Sequence, residues 1–468
     1  MAGEESRDRG QWPEFGRRMR QWRRRCGLTQ AQLGLRVGYH HSLISKLESG
    51  VRVPPAGLVD VLDAILGADG ELVALACEPT REPDPPQRTL LSVLPGAAPL
   101  AAPLAVRAWP TALPPDGVAC PLHGSAGCAV PDLETTRDLL ALLAPHRTPP
   151  RGLEPDLTHV LAALLAEYAR LSLESGSAGI LDAVEWLLHA LTRLGDADEP
   201  NPAHQRLAAH FAAIAGRLRM HRGQTALSMA WFGHGLARAD LTGDVGARVR
   251  LLAEVSTLAR LDGDAGTALA CGRAMAAADP DRAWTHTLAD LALARGYALT
   301  GDDGACLRHL DAAESGLVRL GDRDHLEVPW LTGDLGGLRV ASAKGAALRD
   351  LSARTGDRGL ARRAVRAASQ SVELVPERMR PAYLLLAVRL ADAHACAGEP
   401  DAAVATAEPV LAEAEAAGRT TITAELAGLR GRLSGRWARV GAVRAFTERA
   451  SGAYDDPIAK ARPKIEQG

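Results

Sequence analysis

The sequence predicts an all-α protein built as a small helical head, a proline-rich linker and a long helical body. Three observations carry this. Hydrophobic residues make up 47% of the chain and aromatics only 4%, which suits helices packed through Ala and Leu better than strands of Val, Tyr and Phe. From about Leu133 to Thr447, Ala/Leu-rich helical patterns follow one another, punctuated by Gly-Asp and similar turns. Between Pro79 and Pro121 lie eleven prolines, too many for helix or central strand. A chain of 468 residues also exceeds what one core serves, so several units or a repeat array are expected.

Bulk properties narrow the function classes. No apolar run of about 18 residues occurs, and the arginine-rich beginning of the chain lacks the apolar centre of a signal peptide, so a cytoplasmic, nucleoid-associated protein with no membrane partner is expected. Seven scattered cysteines do not suggest a disulfide framework. The net charge of −2 hides an asymmetry. From Arg9 to Arg52 ten Lys or Arg face only Glu14 and Glu48, a local balance of +8 that leaves −10 for the rest. A basic head for a polyanion, on an acidic body, follows.

The head is expected over residues 11–77. Apolar residues at 15, 19 and 22 mark a first helix, and further helical patterns begin at Gln30, His41 and Leu58. In "GLTQAQLGLRVGYHHSLISKLESG", residues 27–50, Thr29 suits an N-cap, Leu33 and Val37 an apolar face, and Gly38 a turn. The next helix then buries Leu43, Ile44 and Leu47 and turns His41, Ser42, Ser45 and Lys46 outward. His40 reads as a solvated neighbour of the helix start. Metal binding by the adjacent pair His40 and His41 is disfavoured because neighbours on a helix diverge by about 100°.

"GLTQAQL", Gly38, "ISKLESG" and Pro54-Pro55, at these spacings, resemble the five-helix DNA-binding domain of the XRE family of phage-repressor-like helix-turn-helix regulators. The resemblance covers about 60 to 70 residues. It implies a DNA-reading helix whose base-facing positions here are His41, Ser42, Ser45 and Lys46. It implies that Gln30 binds a backbone phosphate and steadies the reading residues, with Arg52 and the first-helix arginines as further phosphate contacts. Arg23 and Glu48 match a structural ion pair of the family. The histidines depart from the Ser, Thr, Gln or Arg common among relatives, so the operator sequence is not readable.

The linker is expected over 78–130 and carries "CPLHGSAGC", which places Cys120, His123 and Cys128 as C-x2-H-x4-C. Three soft ligands in nine residues suit zinc, but a structural site needs four, with His146 and Cys77 as candidates for the last. A Gly-rich loop with partly buried thiols, redox sensing, and haem at Cys120-Pro121 are the other readings.

The body is expected over 131–450, followed by a tail, 451–468. Around Gly301, Ala294 lies seven before, Tyr297 four before, and Cys306 and Ala313 five and twelve after. This frame resembles the tetratricopeptide (TPR) pattern. It fits Gly263, Gly356 and Gly398, and more loosely Gly223 and Gly176, giving a TPR-like α-solenoid of about six hairpins, with a non-repetitive bundle as the alternative. Trp231, Trp284 and Trp330 either line a groove or pack in the core. XRE heads on such bodies include peptide-pheromone receptors, whose peptide-clamping asparagines have no counterpart here beyond Asn201.

The function expected is a sequence-specific transcriptional regulator acting on double-stranded DNA as a homodimer. Its body would dimerise or sense a peptide, small-molecule or protein ligand. The alternative is an interaction scaffold or antitoxin-like adaptor whose body binds a partner protein. No catalytic constellation or P-loop occurs in the sequence, so no enzyme activity is expected. No cofactor is expected beyond the zinc the Cys/His loop suggests.

Overall fold

A computed structural model describes residues 8–39, 41–50, 54, 57–68, 70–76, 109–113, 120–124, 127–143, 154–174, 180–195 and 201–452. Most of the expected tail and of the proline-rich stretch therefore lie outside the described residues. Those described are helical, with no β-strand and two isolated backbone bridges, Ala112 to Ala129 and Cys120 to Gly124. None of their helices is long and apolar enough to cross a membrane.

Five helices form the head: α1 (Asp8–Arg25), α2 (Gln30–Val37), α3 (His41–Glu48), α4 (Leu58–Leu66) and α5 (Glu71–Ala76). Their shared core contains Phe15, Met19, Leu33, Val37, Ile44, Leu47, Leu62 and Leu72. Helix α2 begins where Thr29 Oγ1 accepts the Gln32 amide while the Gln32 side chain accepts the Thr29 amide, a reciprocal cap. It ends at Gly38, whose φ of 74° is open to glycine at little cost. Asp63 accepts the amides of Gly70 (2.7 Å) and Leu72 (2.8 Å), so one buried carboxylate links α4 to the start of α5. At Gly16 a Cβ would overlap the backbone of Leu47 and Glu48, so α1 and α3 touch backbone to backbone.

The body begins earlier than the expected boundary at 131. Within the segment expected as linker, the Leu113 amide donates to the Cys128 carbonyl (2.7 Å) and Val130 to Thr111 (3.0 Å). Leu113, Cys120 and Val130 are buried in one core with α6 (Leu133–Ala141), α7 (Glu154–Glu174), α8 (Leu181–Gly195) and α9 (Pro202–His221). There follow α10 (Thr225–Thr242), α11 (Val245–Leu261), α12 (Ala265–Ala278), α13 (Ala283–Thr300), α14 (Asp303–Val318) and α15 (Asp322–Glu327). After a 3-10 turn at Pro329–Leu331 come α16 (Gly333–Thr355), α17 (Arg358–Leu374), α18 (Arg380–Ala397) and α19 (Pro400–Ala407). A second such turn, Glu408–Val410, leads to α20 (Leu411–Ala416), α21 (Thr420–Trp437) and α22 (Gly441–Gly452).

The hairpin frame read from the sequence falls on real turns. Gly223, Gly263, Gly301, Gly356 and Gly398 lie between α9 and α10, α11 and α12, α13 and α14, α16 and α17, and α18 and α19. Gly176 lies outside the described residues. Ala268, Ala294, Cys306, Ala313, Ala361, Ala391 and Ala403 are fully buried, because small side chains let the paired helices approach. The array is not a simple open row. Arg419, at the start of α21, donates to the Ser172 carbonyl in α7 (3.2 Å), and Thr420 Oγ1 to the His221 carbonyl at the end of α9 (3.1 Å). The late hairpins thus meet the early ones, leaving α9, α11, α13, α16, α18 and α21 as an inner row whose successive members pack on one another.

Candidate nucleic-acid interface

Sequence forms α3 through a narrow set of choices. Leu43, Ile44 and Leu47 are buried, which commits the opposite face of α3 to the outside. His41, Ser45 and Lys46 are exposed there. Ser42 is on the same helix, with its side chain outside the described residues, as are His40 and Arg52.

Glu48, at the end of α3, fixes this helix against α1. Its side chain is 0% exposed. Arg23 donates through Nε to Oε1 (2.5 Å) and through Nη2 to Oε2 (3.1 Å), a bidentate pair, while Nη1 holds the Leu28 carbonyl (2.6 Å). Arg20 Nε (3.1 Å) and Gln30 Nε2 (2.8 Å) also reach Oε2. Burial alone would raise the Glu48 pKa. Hydrogen bonds from Arg23 and Gln30, the Arg23 charge and Arg20 outweigh it and hold the carboxyl below its ordinary 4.5. Gln30, half-buried, therefore binds the ion pair that positions α3. Its placement beside Glu48 was not part of the sequence expectation, which gave it a phosphate.

The other first-helix arginines divide. Arg18 pairs with Glu71 and Arg25 stacks 5.0 Å from the Trp22 ring centroid, whose Nε1 donates to Glu71 (2.7 Å). Arg17 and Arg24 are exposed. The sequence reading missed Gly16, Asp63 and Glu71, whose roles depend on contacts between helices distant in sequence.

The turn in front of α3 also meets the body. A Cβ on Gly38 would fall 2.8 Å from Leu227 Cδ1 and 3.4 Å from Gln224 Cβ. Tyr39 is near enough to act electrostatically on Arg222.

Two further sets of predicted residues are placed by the fold. Cys120, His123 and Cys128 come together, joined by His159 of α7, which the sequence reading did not select. Cys77 and His146, the fourth ligands considered, lie outside the described residues. Burial, then the neighbouring Cys120, pushes the Cys128 thiol above its ordinary 9.0. Of the tryptophans, Trp284 is buried with Nε1 on Glu327 (3.0 Å) and Trp231 donates to Glu185 (2.7 Å). Trp330 alone of the three lies under arginines, Arg250 at 5.4 Å and Arg339 at 4.6 Å from its centroid.

The Glu48 shift makes a pH statement. A carboxyl held below its unfolded pKa stabilises the folded head above about pH 4.5, and that contribution is lost as pH falls through the lower folded value. Glu48→Gln should weaken the head at neutral pH by about 3–5 kcal/mol, because Arg23 keeps its charge without a buried partner. It should also flatten the acid-side loss of protection. Amide exchange of α2 and α3 in the full chain, at about pH 7 and about pH 4, reads both effects; unchanged neutral-pH protection in the variant would refute the role given to Glu48.

Residues 14–76 match a family model described as a helix-turn-helix domain, a motif that suggests a DNA-binding regulator. No curated protein and no solved structure matches the chain significantly. The N-terminal part of this chain is thus a helix-turn-helix domain, followed by a body of many packed helices.

Proposed function

We propose that the chain is a sequence-specific transcriptional regulator of the XRE type, binding an inverted repeat as a homodimer and carrying a TPR-like body that senses an effector. It is read as a cytoplasmic binding protein rather than an enzyme. The observation that supports this most is the outward face of α3, where His41, Ser45 and Lys46 stand exposed on a helix held rigidly by Glu48, Arg23 and Gln30. A helix presented this way fits the major groove, with its first turn at base edges and nearby cations on phosphates.

The chemistry of the effector is suggested by the inner row of the body. Arg217, Arg250, Arg339 and Arg419 interact electrostatically there, with Glu254 the acid in reach of Arg217 at 3.2 Å. Burial, then Arg217 and Arg339, lowers the Arg250 pKa to about 10. Burial, then Arg419 and Arg217, holds His221 down to about 3, so it adds no charge at neutral pH. Crowded like charges are relieved by an anion, and Trp330 offers a flat ring beside two of the guanidinium groups. An anionic effector fits this cluster better than a neutral peptide.

The contact of Gly38 with Leu227 bears on regulation. On this reading docking of the head on α10 competes with DNA, because the turn that Leu227 touches adjoins the first turn of α3.

Four experiments check this reading. Lys46→Ala and His41→Ala should each weaken binding to sites recovered by genome-wide mapping, by about 1–3 kcal/mol for a base contact, and loss of a phosphate contact should lower the salt slope by about 1. Undiminished DNA binding after deletion of residues 1–77 would sink the assignment, and a stable protein partner with no discrete genomic sites would favour the scaffold alternative. Leu227→Asp should raise operator affinity up to about tenfold by freeing the head; equal affinity in wild type and variant would remove the docking argument. Inorganic phosphate should raise the wild-type melting temperature more than chloride at matched ionic strength, and Arg250→Gln/Arg339→Gln should abolish the difference. The same increment in both proteins would dismiss the anionic effector.

A further inference from the structure

We propose that Cys120, His123, Cys128 and His159 form a structural zinc site that ties the start of the body to α7. One ligand atom from each of the four lies within 4.8 Å of all the others. His123 Nδ1 is 3.6 Å from Cys120 Sγ and 3.2 Å from Cys128 Sγ. Tetrahedral zinc with Zn–S of about 2.3 Å and Zn–N of about 2.0 Å requires sulfur–nitrogen separations of about 3.5 Å. The observed pair of distances brackets that requirement.

The fourth residue is what turns a short motif into a site. His159 is 8% exposed, and its Nε2 is buried with no hydrogen-bond partner. Leaving a buried polar nitrogen unmatched is costly, and the group is normally paired with protein, water or metal. Its ring centroid is 5.7 Å from that of His123, which places both imidazoles beside the two sulfurs. His159 sits on α7 among Leu157, Val160 and Leu161, all in the core. An imidazole at such a position is paid for by a bond that apolar neighbours cannot supply.

The loop is built to converge. Cys120 and Gly124 exchange backbone hydrogen bonds (3.0 and 2.8 Å), folding the chain back so that His123 faces Cys120. Cys128 is held by its own carbonyl, which accepts the Leu113 amide at 2.7 Å. Donor chemistry selects the ion: two thiols and two imidazoles suit zinc, whereas magnesium and calcium want oxygen ligands. Four protein ligands close the coordination sphere, which is the mark of a structural rather than a catalytic centre.

The site does a mechanical job. The described residues between 109 and 131 contain no helix and place few large side chains in the core, so their apolar packing alone holds them weakly to α7. A metal bound only by the folded arrangement adds its binding free energy to that attachment. It would fix where the chain leading from the head enters the body.

The test uses the full chain, purified under reducing conditions without chelator. Elemental analysis should find one zinc per chain in the wild type, almost none in Cys120→Ser/Cys128→Ser, and a strong reduction in His159→Ala. Because a variant can lose metal by misfolding, cobalt substitution supplies a second readout. The wild type should show thiolate-to-metal charge-transfer bands and the intense visible bands of tetrahedral cobalt. His159→Cys should restore full loading with a stronger charge-transfer band. Zinc, and not magnesium, should reverse the fall in melting temperature that follows chelation of the wild type. A wild-type protein that holds no zinc and gives no tetrahedral cobalt spectrum would overturn the proposal, as would a Cys120–Cys128 disulfide that persists in place of metal. Full loading with an unaltered cobalt spectrum in His159→Ala would overturn the assignment of the fourth ligand. None of these outcomes depends on DNA binding, so the zinc site and the regulatory reading stand or fall separately.

Discussion

A buried carboxylate at the end of the third helix governs how the head can present itself. Glu48 is withdrawn from water, a position that is tenable only because two arginines and a glutamine donate to it. The donors come from two other helices: Arg20 and Arg23 from α1 and Gln30 from the first turn of α2. The carboxylate therefore sets the angle between three helices as well as satisfying itself. With the Gly16 backbone contact beneath it, α3 has little freedom to rock, and the spacing of His41, Ser45 and Lys46 becomes a fixed template. A charged group costs more to bury than an apolar one returns, so its benefit here is orientation more than stability.

The body obeys a different constraint, close approach of helices through small residues. Gly345 lies so near α17 that a Cβ would be 3.0 Å from the Ala368 nitrogen, and at Gly272 one would be 2.7 Å from Leu293. Tight pairing on the outer side leaves long polar side chains to fill the inner row. There Arg349 is paired with Asp350 and Glu425, Arg389 reaches Glu425 at 2.7 Å, and Arg432 reaches Asp392 at 2.7 Å. Arg260 and Arg295 crowd the same acids, so guanidinium groups outnumber carboxylates even there. Around Arg217, Arg250 and Arg339 the acids in electrostatic reach are Glu254 and Asp244, so an excess of cation runs along the inner row although the overall charge is slightly negative.

What the sequence made legible was local. Thr29 as N-cap, Gly38 as turn and Leu33, Val37, Leu43, Ile44 and Leu47 as core are all visible within a few residues, because capping and periodicity act over one helical turn. The hairpin glycines were legible for the same reason. His159 was not: a lone histidine among leucines reads as packing until the fold brings a distant loop against it. Gly16 was equally silent, since nothing in α1 announces that the end of α3 will lie upon it. The entry of the body at Trp109 was hidden by the prolines around it, which suggest a linker even where Trp109 Nε1 holds the Pro131 carbonyl at 2.7 Å. The meeting of Arg419 with Ser172 has no local signature at all.

The contact between the head and α10 can be weighed by size. Full burial of one leucine side chain is worth about 1.5–3 kcal/mol, and Leu227 is only half-buried. Specific DNA complexes, at about 10⁻⁸ to 10⁻¹¹ M, release about 11–15 kcal/mol. On the proposed reading, docking therefore cannot hold the head away from a good operator. It can shift occupancy at a mediocre site by about tenfold, which is the range in which regulators discriminate. An anion drawn to Arg217 and Arg250 would act within reach of the α9–α10 hairpin that carries Leu227, so a modest change there is enough to move such an equilibrium. The weakness of the contact is what would make it adjustable.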